Sequence, residues 1–209
     1  MAGRVAASRG WGFALFLALL APADLSAASL TLFRGQGADT NFLDIASDIV
    51  YGNLTMDPTY FWGINYREAI RNGGENGVSR FLLHHDISLE WESQLTKHSG
   101  LQSNFAAHLA LLVRSRDFRA PGFNVNFAAG MGPSYAFSRP TYEDGPDGQP
   151  NQGRYRFQNY MTYEVELSLR SLPGWRLPVR IHHRSGMYGL IAPRRVGSNF
   201  FAIGLRRDF

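Results

Sequence analysis

Residues 175–209 read WRLPVRIHHRSGMYGLIAPRRVGSNFFAIGLRRDF, and this stretch gives the clearest indication of a β-strand pair. It consists of two segments of alternating character joined by one loop, and it ends on an aromatic residue. Side chains along a β-strand repeat with a period of 2. One face of the first strand therefore carries Leu177, Val179, Ile181, His183 and Ser185, and one face of the second carries Asn199, Phe201, Ile203, Leu205 and Phe209. A histidine, a serine and an asparagine thus lie on faces that are otherwise apolar.

The N-terminal residues have the pattern of a secretory signal peptide. Arg4 and Arg9 supply positive charge, and an apolar run follows from Trp11 to Ala21. This run is too short for a membrane-spanning helix, which needs about 20 residues. Small residues at 26–28 then suit a cleavage site. We therefore predict a signal peptide over 1–28 and a single domain over 29–209.

Composition excludes several classes of protein. The chain has no cysteine, so it can form no disulfide and carry no lipid anchor on a cysteine. Its net charge of +4 is mild, and the basic residues form no run. Such a distribution does not predict nucleic-acid binding.

Alternation recurs along the mature chain and predicts eight strands. The predicted strands lie near 30–37, 60–67, 81–94, 105–114, 123–132, 156–170, 176–185 and 199–209. Strands of about ten residues can cross an outer membrane when tilted, whereas a soluble sandwich usually has shorter strands. We therefore predict an all-β fold, an eight-stranded antiparallel transmembrane β-barrel in the outer membrane of a Gram-negative-type envelope, present as a monomer.

The interior of such a barrel is packed with side chains. Polar residues on the inward faces are expected to pair there, namely Glu90, Glu92, Glu164, Glu166, Arg156 and Arg180. The longest connection, residues 138–154, is rich in Gly, Pro and Asp and falls on the outside, whereas the tight turn at 171–174 falls in the periplasm. The connection at 68–77 is long for a periplasmic turn.

The polar residues of the last two strands are candidates for chemistry. His183 and Ser185 point towards lipid in the outer half of the membrane, and Asn199 descends opposite them. An unpaired polar group facing hydrocarbon costs roughly 2–7 kcal/mol, so mutual hydrogen bonding is expected. In a Ser–His pair the imidazole takes the hydroxyl proton, and a third group fixes the tautomer of the ring. The amide oxygen of Asn199 can serve as that third group.

The His-x-Ser step on the penultimate strand resembles that of the outer-membrane lipid A 3-O-deacylases of the PagL type, or of a distant relative similar to acyloxyacyl hydrolases. The resemblance implies an eight-stranded barrel that removes an ester-linked acyl chain without a cofactor. It implies Ser185 as nucleophile, His183 as base, and an acidic orienting residue where this chain has Asn199. Gly186 stands where the family has an asparagine that supports the oxyanion, and Phe209 resembles the terminal aromatic read by barrel-insertion machinery.

Two functions stay open at this point. The first is a carboxylic ester hydrolase acting on lipid A, with lipid A or lipopolysaccharide of the outer leaflet as its partner. The second is a non-catalytic barrel that stabilises the membrane or binds lipopolysaccharide, in which His183, Ser185 and Asn199 form only an interfacial polar cluster. A glycosidase pair at Glu90 and Glu92 is disfavoured by a packed interior. No metal site is expected, because adjacent histidines point to opposite faces of a strand.

Overall fold

The computed structural model describes residues 28–70, 77–143, 155–194 and 196–209. The predicted signal peptide lies almost wholly outside these residues, and its last residue, Ala28, begins the first strand. The strands are β1 Ala28–Ala38, β2 Met56–Ile70, β3 Ser88–Gly100, β4 Phe105–Arg114, β5 Phe118–Ala120, β6 Phe123–Ala136, β7 Phe157–Leu169, β8 Trp175–Ser185 and β9 Gly197–Asp208. The α-helices are α1 Ile45–Tyr51 and α2 Gly77–His84, and short 3-10 helices span Phe42–Asp44 and Met187–Gly189.

The strands form one antiparallel sheet that closes on itself. Each long strand pairs with its neighbours along the chain, β1 pairs with β9, and β4 pairs with β6. The three-residue strand β5 pairs with residues 123–125 of β6, beyond the part of β6 that pairs with β4, and forms a small hairpin with it. The predicted eight-stranded antiparallel barrel is confirmed.

Side chains alternate between the lumen and the outer surface, as β4 illustrates. Phe105, Leu109 and Leu111 are exposed on the outside, whereas Ala106 and Leu112 are fully buried. The same pattern on the other long strands builds a belt of exposed apolar side chains around the barrel. In water such a belt would be unfavourable, so it is a surface for lipid. No α-helix among the described residues is long and apolar enough to cross a bilayer.

A network of ion pairs fills the middle of the lumen. Glu164 bonds Arg67 at 2.6 Å, Arg180 at 2.6 Å and Arg114 at 3.1 Å. Glu92 bonds Arg67 at 2.7 Å and Arg180 at 3.0 Å. The expected pairing of interior charges is confirmed for these residues. The exception is Arg156, which donates to the Phe137 carbonyl at 3.4 Å near the rim.

The prediction of a strand over 81–94 is wrong in its first part. Residues 77–84 form helix α2, and β3 begins only at Ser88. Asp86 has a positive φ of 53°, which ends the helical segment and turns the chain into β3. The long connection after β2 thus contains a helix. The sequence was ambiguous here, because Val78, Phe81 and Leu82 fit helical spacing as well as Phe81, Leu83 and His85 fit alternation.

Both ends of the described chain lie at one end of the barrel, where the Phe209 N–H donates to the Ala28 carbonyl at 2.9 Å. The turn at 170–174 and helix α2 share this end, which we take as periplasmic because barrels of this kind have long loops outside. The outer end carries the described parts of four connections, namely 39–55, 101–104, 137–143 with 155–156, and 186–194 with 196. The polar residues of β8 and β9 lie near this outer end.

Candidate functional site

The register of β8 and β9 brings the predicted site residues together. His183 is directly paired with Asn199, and Ser185 is paired with Gly197. His183 and Ser185 are two residues apart on one strand, so both side chains lie on the outward face. All three residues lie close to the outer rim, where the two strands meet the loop at 186–196.

Asn199 holds the imidazole of His183 in a defined orientation. Its Oδ1 lies 2.7 Å from Nδ1 of His183, and its Nδ2 donates to the Thr40 carbonyl at 2.6 Å. A carbonyl can only accept, so the Thr40 contact fixes which end of the amide carries nitrogen. The oxygen must then face the ring and accept from Nδ1–H. In the neutral ring, Nε2 is left with a lone pair.

The site is covered by the first external loop. His183 and Asn199 point outward, yet they are only 8% and 6% exposed. Phe42 stacks on the His183 ring with centroids 4.4 Å apart, and it also contacts Tyr163 at 5.4 Å. Phe42 therefore covers the imidazole, and the Thr40 carbonyl binds the amide of Asn199 beside it.

Ser185 is near these residues but is not joined to the imidazole. Its Oγ accepts a hydrogen bond from the Met187 N–H at 3.2 Å. Among the hydrogen bonds of the described residues, none joins the side chains of Ser185 and His183. The chain after Ser185 turns sharply, because Met187 and Tyr188 adopt positive φ values of 49° and 55°. Such strained backbone is concentrated at functional sites.

Gly186 is required by its surroundings. A Cβ at this position would lie 2.2 Å from the Ala192 carbonyl oxygen. Its N–H donates to the Val196 carbonyl at 3.2 Å, and its own carbonyl accepts from the loop that follows. The close packing against Ala192 explains why the chain has glycine at 186. The Gly186 N–H already has a partner, the Val196 carbonyl.

Two neighbours of the site were missed from the sequence. Asn159 on β7 is directly paired with Ser185 and is only 5% exposed. Alternation along β7 places it on the outward face, so the signal that identified His183 was available for it too. Phe42 lies in a long connection without periodicity, and its contact with His183 depends on tertiary structure.

Apolar side chains surround the site at the outer end. Leu43 and Val50 of the first external loop and Tyr188 and Leu190 of the last are all more than 70% exposed. Among the described residues, no group of three or more acidic or histidine side chains is arranged to hold a metal ion. The side chains at this site supply one hydroxyl, one imidazole and two amides, from Ser185, His183, Asn159 and Asn199.

No protein-family model matches the chain, and no curated protein matches it. Among solved structures, the outer membrane enzyme PagL matches with a TM-score of 0.52 and 12% identity, over 86% of this chain and 99% of that one. Neisserial surface protein A matches with a TM-score of 0.45 and 11% identity, over 87% and 97%. The N-terminal barrel domain of Pseudomonas aeruginosa OprF matches with a TM-score of 0.46 and 9% identity, over 88% and 98%. At this identity, the likeness to PagL shows a shared fold.

Fold and surface together give the location of the chain. The closed barrel has the fold of an outer-membrane protein, and its apolar belt needs a bilayer around it. The chain is an eight-stranded β-barrel of the bacterial outer membrane.

Proposed function

We propose that this barrel is an esterase that removes an ester-linked acyl chain from lipid A, as a distant relative of the PagL-type deacylases. Ser185 is the proposed nucleophile, His183 the general base and Asn199 the residue that orients the base. The observation that supports this most directly is the pair of hydrogen bonds made by Asn199. They leave Nε2 of His183 as the acceptor that a general base requires.

The proposed reaction proceeds in two steps. Ser185 Oγ attacks the ester carbonyl carbon while its proton passes to Nε2 of His183. The tetrahedral intermediate then expels the sugar oxygen, which takes that proton from Nε2. In the second step water attacks the acyl-enzyme, the imidazole again takes the proton, and the fatty acid is released with Ser185 restored.

The first step requires a small rearrangement at Ser185. The hydroxyl must leave the Met187 N–H and come within about 2.6–3.2 Å of Nε2. A rotation about χ1 of Ser185 is the movement that we propose, because His183 and Ser185 lie on the same face of β8. Catalytic hydrogen bonds are often long in the free enzyme and form only when substrate binds.

Location supports lipid A as the substrate. The site faces outward near the outer rim, and exposed Tyr188 and Leu190 lie on the loop that follows Ser185. The acyl esters of lipid A lie at the same depth, between the headgroup region and the hydrocarbon. Asn199 carries no negative charge, so the imidazolium formed in each step is less stabilised than beside a carboxylate. We therefore expect slow turnover.

A non-catalytic barrel is the second candidate, and a specific contact favours it. Asn199 connects β9 to the Thr40 carbonyl, and Phe42 covers His183. These contacts alone would fasten the first external loop to the barrel wall. In that case the polar cluster would be structural, and lipopolysaccharide would be a ligand.

Mass spectrometry of lipid A from cells that express the chain would separate the two candidates. Wild type should convert part of the lipid A to a species lacking one acyl chain, whereas Ser185→Ala and His183→Ala should not. Ser168→Ala, at the periplasmic end of β7, is the matched control and should behave as wild type. Identical acylation in cells with wild type, with Ser185→Ala and with no barrel would contradict the esterase proposal.

A further inference from the structure

Asn159 is a buried amide beside the proposed nucleophile. The register of β7 and β8 pairs it directly with Ser185, and directly opposed residues have Cβ atoms about 4.5–5.5 Å apart. Its other cross-strand partner is Pro133 on β6. Along its own strand the neighbours on the same face are Phe157 and Met161. Of these four neighbours, only Ser185 has a polar side chain.

The amide nitrogen of Asn159 has no partner in the part of the chain that the structure describes. Its Nδ2 is buried, and the residue is only 5% exposed. Buried amide groups are nearly always hydrogen-bonded. A buried amide nitrogen without a partner at a candidate site is therefore unusual. A donor held next to a nucleophile and left without an acceptor is suited to a group that arrives with the substrate.

Ester cleavage by Ser185 creates such a group. Attack on the carbonyl carbon turns the carbonyl oxygen into an oxyanion, and donors aimed at this oxygen lower the barrier. The N–H of Gly186, the expected support, already donates to the Val196 carbonyl at 3.2 Å. The Met187 N–H donates its hydrogen bond to Ser185 Oγ itself. The side chain of Asn159 is a donor next to Ser185 whose Nδ2 has no partner among the described residues.

We infer that Asn159 is a further catalytic residue, whose Nδ2 donates a hydrogen bond to the oxyanion formed when Ser185 attacks the ester. This inference rests on the proposed esterase function. Strand β7 then supplies the oxyanion donor, β8 supplies both the nucleophile and the base, and β9 supplies the residue that orients the base.

The test compares Asn159→Ala and Asn159→Asp with wild type in the refolded full-length mature barrel, with lipopolysaccharide in detergent micelles as substrate. Loss of one oxyanion donor typically lowers kcat on the order of 10²–10³-fold. Both variants should show such a loss with KM unchanged, since the bond forms only in the transition state. Asn124→Asp, the same change near the periplasmic end of β6, should retain the wild-type kcat.

Folding is followed by the mobility of unheated and heated samples on a denaturing gel. Should the alanine variant fail to fold, the isosteric aspartate variant gives the same readout. An active wild type whose kcat is unchanged by both Asn159 substitutions would overturn the inference and leave the esterase proposal intact. A wild type no more active than Ser185→Ala would overturn both.

Discussion

Phe42 lies over the imidazole of His183, with ring centroids 4.4 Å apart and 27° between the ring planes. Phe42 belongs to the external loop after β1. His183 is on β8, which is separated from β1 by the strand β9. A loop residue thus covers the proposed base. Under the esterase proposal, a substrate ester would reach His183 only by sliding beside this ring or displacing it.

Replacing Phe42 with alanine should expose His183. We expect modification of His183 by diethyl pyrocarbonate to become several-fold faster, measured by mass spectrometry of peptides from the refolded barrel. Phe137→Ala removes an exposed aromatic side chain that contacts Tyr135 rather than His183, so the rate at His183 should not change. Equal rates in wild type and Phe42→Ala would show that the ring does not shield the imidazole.

Replacing Asn199 with aspartate should raise kcat. The carboxylate keeps an acceptor for Nδ1–H of His183 and adds a negative charge that stabilises the imidazolium. A gain of about tenfold would correspond to about 1.4 kcal/mol of stabilisation. The measurement is turnover of lipopolysaccharide by the refolded barrel.

The same substitution removes the donation from Nδ2 to the Thr40 carbonyl. Thermal stability of the variant should therefore fall while kcat rises, and the two effects are measured separately. Asn124→Asp controls for the added charge. A correctly folded Asn199→Asp barrel with unchanged kcat would argue against His183 as the general base.

Replacing Glu164 with glutamine should destabilise the barrel. Glu164 bonds Arg67, Arg180 and Arg114 in the lumen, and a buried cation that loses its partner typically costs about 3–5 kcal/mol. Unfolding by urea, followed by tryptophan fluorescence, measures the change in the free energy of unfolding. Glu68→Gln, which alters a half-buried contact with Tyr66, should have a much smaller effect. A loss no larger than that of the control would mean that neighbouring charges rearrange to compensate.

Asp117 predicts a dependence of stability on pH. Partial burial alone would raise the pKa of Asp117, but hydrogen bonds from Asn126 and Arg176 outweigh it and hold the pKa below its usual value. A carboxyl whose pKa is lowered by folding stabilises the fold above its unfolded pKa of about 4 and loses that effect as pH falls through the folded value. Asp117→Asn should therefore unfold more easily than wild type at pH 7.

The difference between wild type and Asp117→Asn should shrink as the pH falls below about 4. Arg119→Gln, on the adjacent short strand β5, is a control that leaves this carboxyl unchanged. A difference in unfolding free energy that stays constant from pH 7 to pH 3 would rule out titration of Asp117 as its source.

The barrel was predictable because its signal is repeated. Each long strand alternates between the lipid and the lumen, so a single misread segment does not change the architecture. The segment 81–85 was misread as strand. Its five residues have apolar side chains at 81, 82 and 83, and so short a segment fits both the helical period of 3.6 and the strand period of 2. The structure decides between them, because residues 77–84 form a helix within the connection between β2 and β3.

The pairing of two residues of the candidate site was predictable, because strand geometry determines it. His183 and Asn199 were placed opposite each other by alternation and by the distance from the chain end, and the structure pairs them. The contacts from Thr40 and Phe42 depend on how a long loop folds back, and period-2 reasoning carries no information on that. Asn159 could have been found, since it interrupts an apolar face next to Phe157 and Met161 in the same way that His183 interrupts its own.

The ion pairs of Arg67, Arg180 and Glu164 occupy the middle of the barrel and leave its centre filled with side chains. Under the proposed esterase function, a free fatty acid or a shortened glycolipid released at the rim would find no passage to the periplasm through the part of the lumen that these described side chains fill. Both would spread sideways within the leaflet in which they arise, so lateral diffusion in the bilayer would set how fast the site is cleared.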